Sequence, residues 1–185
     1  NKIAAGLAAS LLLVSAAQSQ ETVTSTATAT VQNAFTFEEV SALDFGTFRA
    51  TNDGTDTATL VIPADTATSP STPTNGDAVI QQLIEGTPGE YSISGVAEFG
   101  TLTVTLPTTA TLAPVGNPAG VASFTASPFT AYKTSGTPAA FTNSLQVDGT
   151  GAATFNLGAT LTTVAGTDSY QDGPYEGEYT ITVNY

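Results

Sequence analysis

The sequence predicts an all-β protein built as a β-sandwich, and three observations predict it. Charged residues make up 10% of the chain and hydrophobic residues 41%, so the chain can bury a core while carrying far fewer charges than the roughly 25% usual in globular proteins. Thr, Ala, Gly and Ser fill the difference, and Thr favours strands because its branched Cβ sits well on a pleated surface. Apolar and hydroxyl residues alternate with period two in several segments, which places them on opposite faces of a strand. Turn signals recur at short intervals, and together these give about nine or ten short strands in one domain.

The elements follow in chain order. Lys2, the apolar run Ile3 to Val14 and the small residues Ser15-Ala16-Ala17 read as a secretory signal peptide over residues 1–17, cut after Ala17. Residues 18–31 form an N-terminal extension and first strand. Val23, Ala27, Ala29, Val31, Phe35 and Phe37 share one parity, and Thr22, Thr24, Thr26, Thr28, Thr30 and Thr36 the other. Such a strand is longer than one sheet usually needs, so part of it is free to pair elsewhere. The domain proper spans 32–185.

Leu43-Asp44-Phe45-Gly46-Thr47-Phe48 marks a short strand, Asn52-Asp53-Gly54 a turn, and Thr57 to Ile62 a strand that Pro63 ends. Residues 64–77 read as an exposed loop. Residues 78–84 are apolar without a decisive period. Pro88-Gly89 turns into a strand through Tyr91 and Ile93. Leu102, Val104 and Leu106 alternate with Thr101, Thr103 and Thr105. A Pro/Gly-rich loop is expected over 107–120, then strands near 121–126, 141–147, 152–157 and 159–164. The clearest alternation is the last: Tyr179, Ile181, Val183 and Tyr185 against Glu178, Thr180, Thr182 and Asn184.

Composition excludes several functions. Net charge is −13, and Lys2, Arg49 and Lys133 are the only cations. Nucleic acid needs clustered Lys and Arg to neutralise phosphates, so it is no partner. Attachment to anionic lipid by charge fails for the same reason. The chain has no Cys and no His. A serine–histidine hydrolase and a His/Cys zinc site are therefore impossible.

Carboxylate pairs can hydrolyse glycosides. The nearest in sequence, Glu38-Glu39 and Glu176/Glu178, are too close along the chain for that geometry, and strand neighbours face opposite ways. Asp53, Asp56 and Asp65 near one loop, and Asp168 and Asp172 near another, lack calcium-loop spacing and read as solvated loop acids. No enzyme activity, metal or cofactor is expected.

Several segments resemble DUF4402, a family of bacterial secreted domains of unknown function. They are Thr26-Ala27-Thr28-Ala29-Thr30-Val31, Leu43-Asp44-Phe45-Gly46-Thr47, Pro88-Gly89 with Tyr91-Ser92-Ile93, Gly158-Ala159-Thr160-Leu161, and Gly177 to Tyr185. The same layout is similar to chaperone–usher pilins and spore-coat-U-like proteins. That resemblance implies an incomplete immunoglobulin-like sandwich, completed by a strand from a neighbouring subunit or from a periplasmic chaperone, and export through an outer-membrane usher. Two features depart from the pilin pattern: those proteins usually hold a disulfide near the first strand, and their terminal aromatic is often penultimate, whereas Tyr185 is last.

The expected function is a pilin-like subunit of an extracellular filament on the bacterial surface, polymerising with itself. Val23, Ala27, Ala29 and Val31 are the candidate donor face. Tyr179, Ile181, Val183 and Tyr185 of the C-terminal strand are the candidate acceptor groove. The alternative is a monomeric or matrix-associated surface domain that binds glycans.

Overall fold

A computed structural model describes residues 21–29, 34–73 and 76–185. It divides the chain into two units, Asn1–Gln32 and Asn33–Tyr185. In the first, residues 21–29 belong to no strand and are exposed throughout. The long first strand expected over Thr22 to Phe37 is thus corrected. Among the described residues of that stretch only Thr36 onward is a strand, and residues 21–29 have no ladder partner among the described residues. The signal segment 1–17 and Val31 lie outside the described residues.

The second unit is all-β, with no helix among its described residues. Its strands are β1 (Thr36–Ser41), β2 (Thr47–Thr51), β3 (Thr59–Ile62), β4 (Val79–Ile84), β5 (Gly89–Ser94), β6 (Thr101–Thr105), β7 (Ala110–Pro114), β8 (Phe124–Lys133), β9 (Ala139–Phe141), β10 (Ser144–Gln146), β11 (Ala153–Thr163), β12 (Tyr175–Glu176) and β13 (Thr182–Asn184). A large sheet runs β1-β5-β11-β8-β7-β12, with β3 also on β11 and β9 also on β8. Two smaller sheets, β10-β6-β13 and β2-β4, complete the set. All ladders between these strands are antiparallel.

β11 is the axis of the large sheet. It pairs along one edge first with β5 and then with β3, and along the other with β8. Phe155, Asn156, Leu157, Gly158 and Ala159 are all buried, as expected of a strand covered on both faces. The sequence reads this strand as two, split at Gly158. The glycine does not break it. A Cβ there would lie 2.3 Å from the Ile62 carbonyl and 2.4 Å from the Ala64 nitrogen, so the position must be bare for β3 to pass. Asn156 Nδ2 donates to the Ala64 carbonyl at 3.2 Å, and Ala58 N donates to Thr163 Oγ1 at 2.8 Å. These bonds satisfy the two buried polar side chains, Asn156 and Thr163.

The three sheets share one core. Phe124, Phe155, Leu60, Ile80, Leu102, Leu145 and Leu161 are fully buried within it. Its members come from β2, β4, β6, β10 and β13 as well as from the large sheet. The loop expected over 107–120 contains β7, whose Ala110 is buried and whose Leu112 packs on the core. The strand expected over 121–126 continues to Lys133: a bulge between Ala126 and Phe129 shifts the inward positions from Phe124 and Ala126 to Phe129 and Ala131, and β11 pairs with the strand on both sides of it.

Candidate functional site

The Leu43 to Thr51 segment shows how the site is made. Leu43 and Phe45 pack on the core. Asp44 bridges backbone to backbone with Thr87, N to O at 3.0 and 2.8 Å, and its Oδ1 accepts the Gly46 N–H at 2.8 Å. Gly46 has φ of 76°, a conformation nearly free to glycine, and a Cβ there would fall 2.2 Å from the Ile84 carbonyl. The chain then enters β2, which turns Phe48 and Ala50 inward and Arg49 outward. β2 pairs with β4 along one edge only.

Beside that segment lies a groove in two connected compartments. The wider one encloses about 880 Å³ between residues 43–51 and residues 170–176. The narrower encloses about 190 Å³ and is lined by Leu43, Phe45, Ala110, Ala126, Phe129, Gly177 and Tyr179 among others. The floor is apolar. Phe124 carries Phe48 edge-on at 5.3 Å, Tyr170 stacked at 4.3 Å and Tyr175 edge-on at 5.0 Å between ring centroids. Arg49 is the one cation among the lining residues.

The tyrosines along this groove have committed hydroxyls. Tyr170 Oη accepts Val164 N at 3.0 Å, and burial raises its pKa. Tyr175 Oη accepts Gln171 N at 3.0 Å. Tyr179 packs on Phe129 at 5.5 Å, and its hydroxyl meets that of Tyr91 at 2.8 Å. Tyr91 Oη also donates to Glu39 Oε2 at 3.3 Å. Burial, and then the bond to Tyr179, push the Tyr91 hydroxyl well above its ordinary range.

The candidate residues separate. Tyr179 lines the groove. Ile181 and Val183 pack on the core instead, and Tyr185 sits edge-on to Phe35 at 5.4 Å. The C-terminal strand is therefore shorter than the sequence predicts: ladder bonds hold Thr182–Asn184 to β6, and residues 177–181 belong to no strand. On the donor side, Val23 is 89% exposed, and Ala27 and Ala29 are exposed too. Sequence reasoning missed Leu43, Phe48, Phe124, Tyr170 and Tyr175. The signal for Leu43 and Phe48 was the Leu-Asp-Phe-Gly turn; Phe124, Tyr170 and Tyr175 lie in other elements and carried none.

Three loop acids act as turn caps. Asp53 Oδ2 accepts Thr55 Oγ1 and Asp56 N, and Asp65 Oδ1 accepts Ala67 N. Asp148 Oδ1 accepts Thr150 Oγ1 at 2.6 Å, Thr150 N and Ala152 N, and these bonds, the Thr150 hydroxyl first, lower its pKa.

Fold and groove together define an all-β domain whose outer surface carries a long apolar-floored cleft. The chain belongs to the DUF4402 family, a domain of unknown function, which matches residues 35–185. No curated protein and no solved structure matches the chain.

Proposed function

We propose that this chain is a secreted, pilin-like structural subunit of an extracellular bacterial filament, and that it polymerises by donor-strand exchange. The donor is the N-terminal extension, through Val23, Ala27, Ala29 and Val31. The acceptor is the incomplete, immunoglobulin-like body of the next copy. Other partners in this reading are a periplasmic chaperone and an outer-membrane usher; it involves no catalysis and no cofactor.

The observation that supports it best is the groove beside β2. An aromatic-floored cleft with polar walls, next to unpaired backbone, is an unfavourable surface to leave in water. An extended segment with small apolar residues on alternate positions satisfies both needs at once. Residues 21–29 have that pattern and are exposed. Glycan binding would need free aromatic faces and hydroxyls. Here the Phe124, Tyr170 and Tyr175 rings pack on one another, which favours a strand over a sugar.

The test is electron microscopy of two charge variants. In Ala29→Asp the carboxylate must be buried unpaired, at a cost of several kcal/mol, so filaments disappear while folded monomer persists. In Thr28→Asp the carboxylate faces water and filaments persist. Equal filament yield from both variants defeats donation through this segment.

A further inference from the structure

The chain between β3 and β4 carries hydroxyls that the fold does not use. Thr66-Ala67-Thr68-Ser69-Pro70-Ser71-Thr72-Pro73 has almost no apolar bulk, and Thr66, Thr68, Ser69 and Ser71 are exposed. Several hydroxyls in other loops are committed: Thr55 Oγ1 donates to Asp53 Oδ2, Thr150 Oγ1 to Asp148 Oδ1, and Ser127 Oγ to the Thr108 carbonyl. Among the described residues, the side-chain bonds of the 66–73 stretch run to Asp65 Oδ1 and to the Pro73 carbonyl, and none involves those four hydroxyls.

The backbone of the same stretch is tied down. Thr68 N donates to the Asp65 carbonyl at 3.0 Å, Ser71 exchanges bonds with Val61 of β3 at 2.8 and 3.2 Å, and Thr59 N donates to the Pro73 carbonyl at 3.3 Å. Pro70 and Pro73 offer no N–H and bias Ser69 and Thr72 towards extended backbone. The loop thus presents outward hydroxyls on an anchored, extended run, where a transferase can reach them. Ser, Thr and Pro together are also the composition of O-glycosylated segments. The other Pro-rich stretch, 107–120, differs, because β7 forms within it and its Leu112 packs on the core.

We infer that Thr66, Thr68, Ser69 and Ser71 are sites of O-linked glycosylation by neutral sugars. In the transfer the hydroxyl oxygen bonds to the anomeric carbon of a diphosphate-activated sugar. The anomeric bond to phosphate breaks, the diphosphate leaves with the electron pair, and the hydroxyl proton passes to a base of the transferase. Charge selects a neutral sugar over phosphate as the modification. The chain already carries −13, Asp65 adjoins Thr66, and a phosphate beside a carboxylate is repelled. The inference does not rest on strand donation.

Mass spectrometry of the native protein, taken from the cells that make it, is the test. Cleavage after Arg49 and Lys133 releases the loop in one peptide, residues 50–133. That peptide is expected to exceed its sequence mass by whole hexose, deoxyhexose or N-acetylhexosamine residues, which electron-transfer fragmentation places on Thr66, Thr68, Ser69 or Ser71. With all four replaced by Ala in the same cells, the excess is lost. A native peptide at its sequence mass, sugars confined to residues outside 66–71, or phosphate in their place overturns the inference.

Discussion

Two of this domain's edge strands, β1 and β2, are treated in opposite ways. β1 closes the large sheet and pairs only with β5. It carries Glu38 and Glu39 side by side, and its register slips between Glu39 and Ser41. A bulge and two carboxylates, in a chain of net charge −13, repel the matching edge of another copy. This is how natural sheets blunt an edge. β2 carries no acid. Its free edge presents Thr47, Phe48, Arg49, Ala50 and Thr51 beside an aromatic floor. The difference teaches that a free edge by itself signals nothing. The acidic edge is closed to company, whereas the acid-free edge beside a cleft is shaped for it.

The largest effect should come from removing the floor under β2. Phe124→Ala deletes a fully buried ring that touches Phe48, Tyr170 and Tyr175. It should cost about 3–5 kcal/mol, measured by denaturant unfolding. Exchange in the variant should quicken first in β2, with β1 following only on global unfolding. Simultaneous loss at both edges would mean that they are one cooperative unit.

A smaller loss is expected from Gly46→Ala. The left-handed backbone alone costs about 1–3 kcal/mol for a residue with a Cβ, and contact with the Ile84 carbonyl adds to it. Unchanged stability would show that the Leu43–Gly46 turn does not fix β2.

Smaller still is Tyr179→Phe, which removes the hydroxyl shared with Tyr91 and should cost about 0.5–1.5 kcal/mol. The same pair gives a pH signature. The folded state holds the Tyr91 proton more tightly than the unfolded chain, so its contribution is complete below the ordinary tyrosine pKa of about 10 and is lost as pH rises above it. Unfolding midpoints should fall above that pH in the wild type and fall less in Tyr91→Phe. Parallel curves would remove the hydroxyl pair from the account.

The smallest change in stability, within about 0.5 kcal/mol, belongs to Glu38→Thr, yet it bears most directly on the contrast between the edges. Giving β1 a neutral surface at that position should produce concentration-dependent association by light scattering. A variant that stays monomeric at every concentration would show that Glu39 and the bulge suffice to guard β1.

Much of this fold was legible in the sequence. The Thr/apolar alternation at 101–105 and the Pro88-Gly89 turn into Tyr91 and Ile93 both form where their patterns place them. Local period decides a strand that has a partner waiting. Where the sequence misleads, partners are the reason. Residues 22–29 alternate as well as β6 does but find no ladder among the described residues. Residues 177–181 do the same. Pro and Gly obscured β7, and the strand read over 121–126 runs on to Lys133 because β11 pairs with it on both sides of a bulge. The groove was legible only by half: Tyr179 was marked, but the opposite wall, from Leu43 to Thr51, needed the β2–β4 pairing to place it.

The pairing of β3 with β11 has a kinetic meaning. Ala58 and Thr163, joined by a hydrogen bond, stand 105 residues apart in the chain. β3 is made early and bonds locally to residues 71–73, but the β11 edge it joins does not exist until residue 163, and closing so long a loop is entropically slow. Until then Leu60 and Ile62, both buried at the end, are exposed to water and to other chains. The interval between synthesis and closure is when this protein is most open to aggregation, and a companion that shields apolar strands would be most useful to it then.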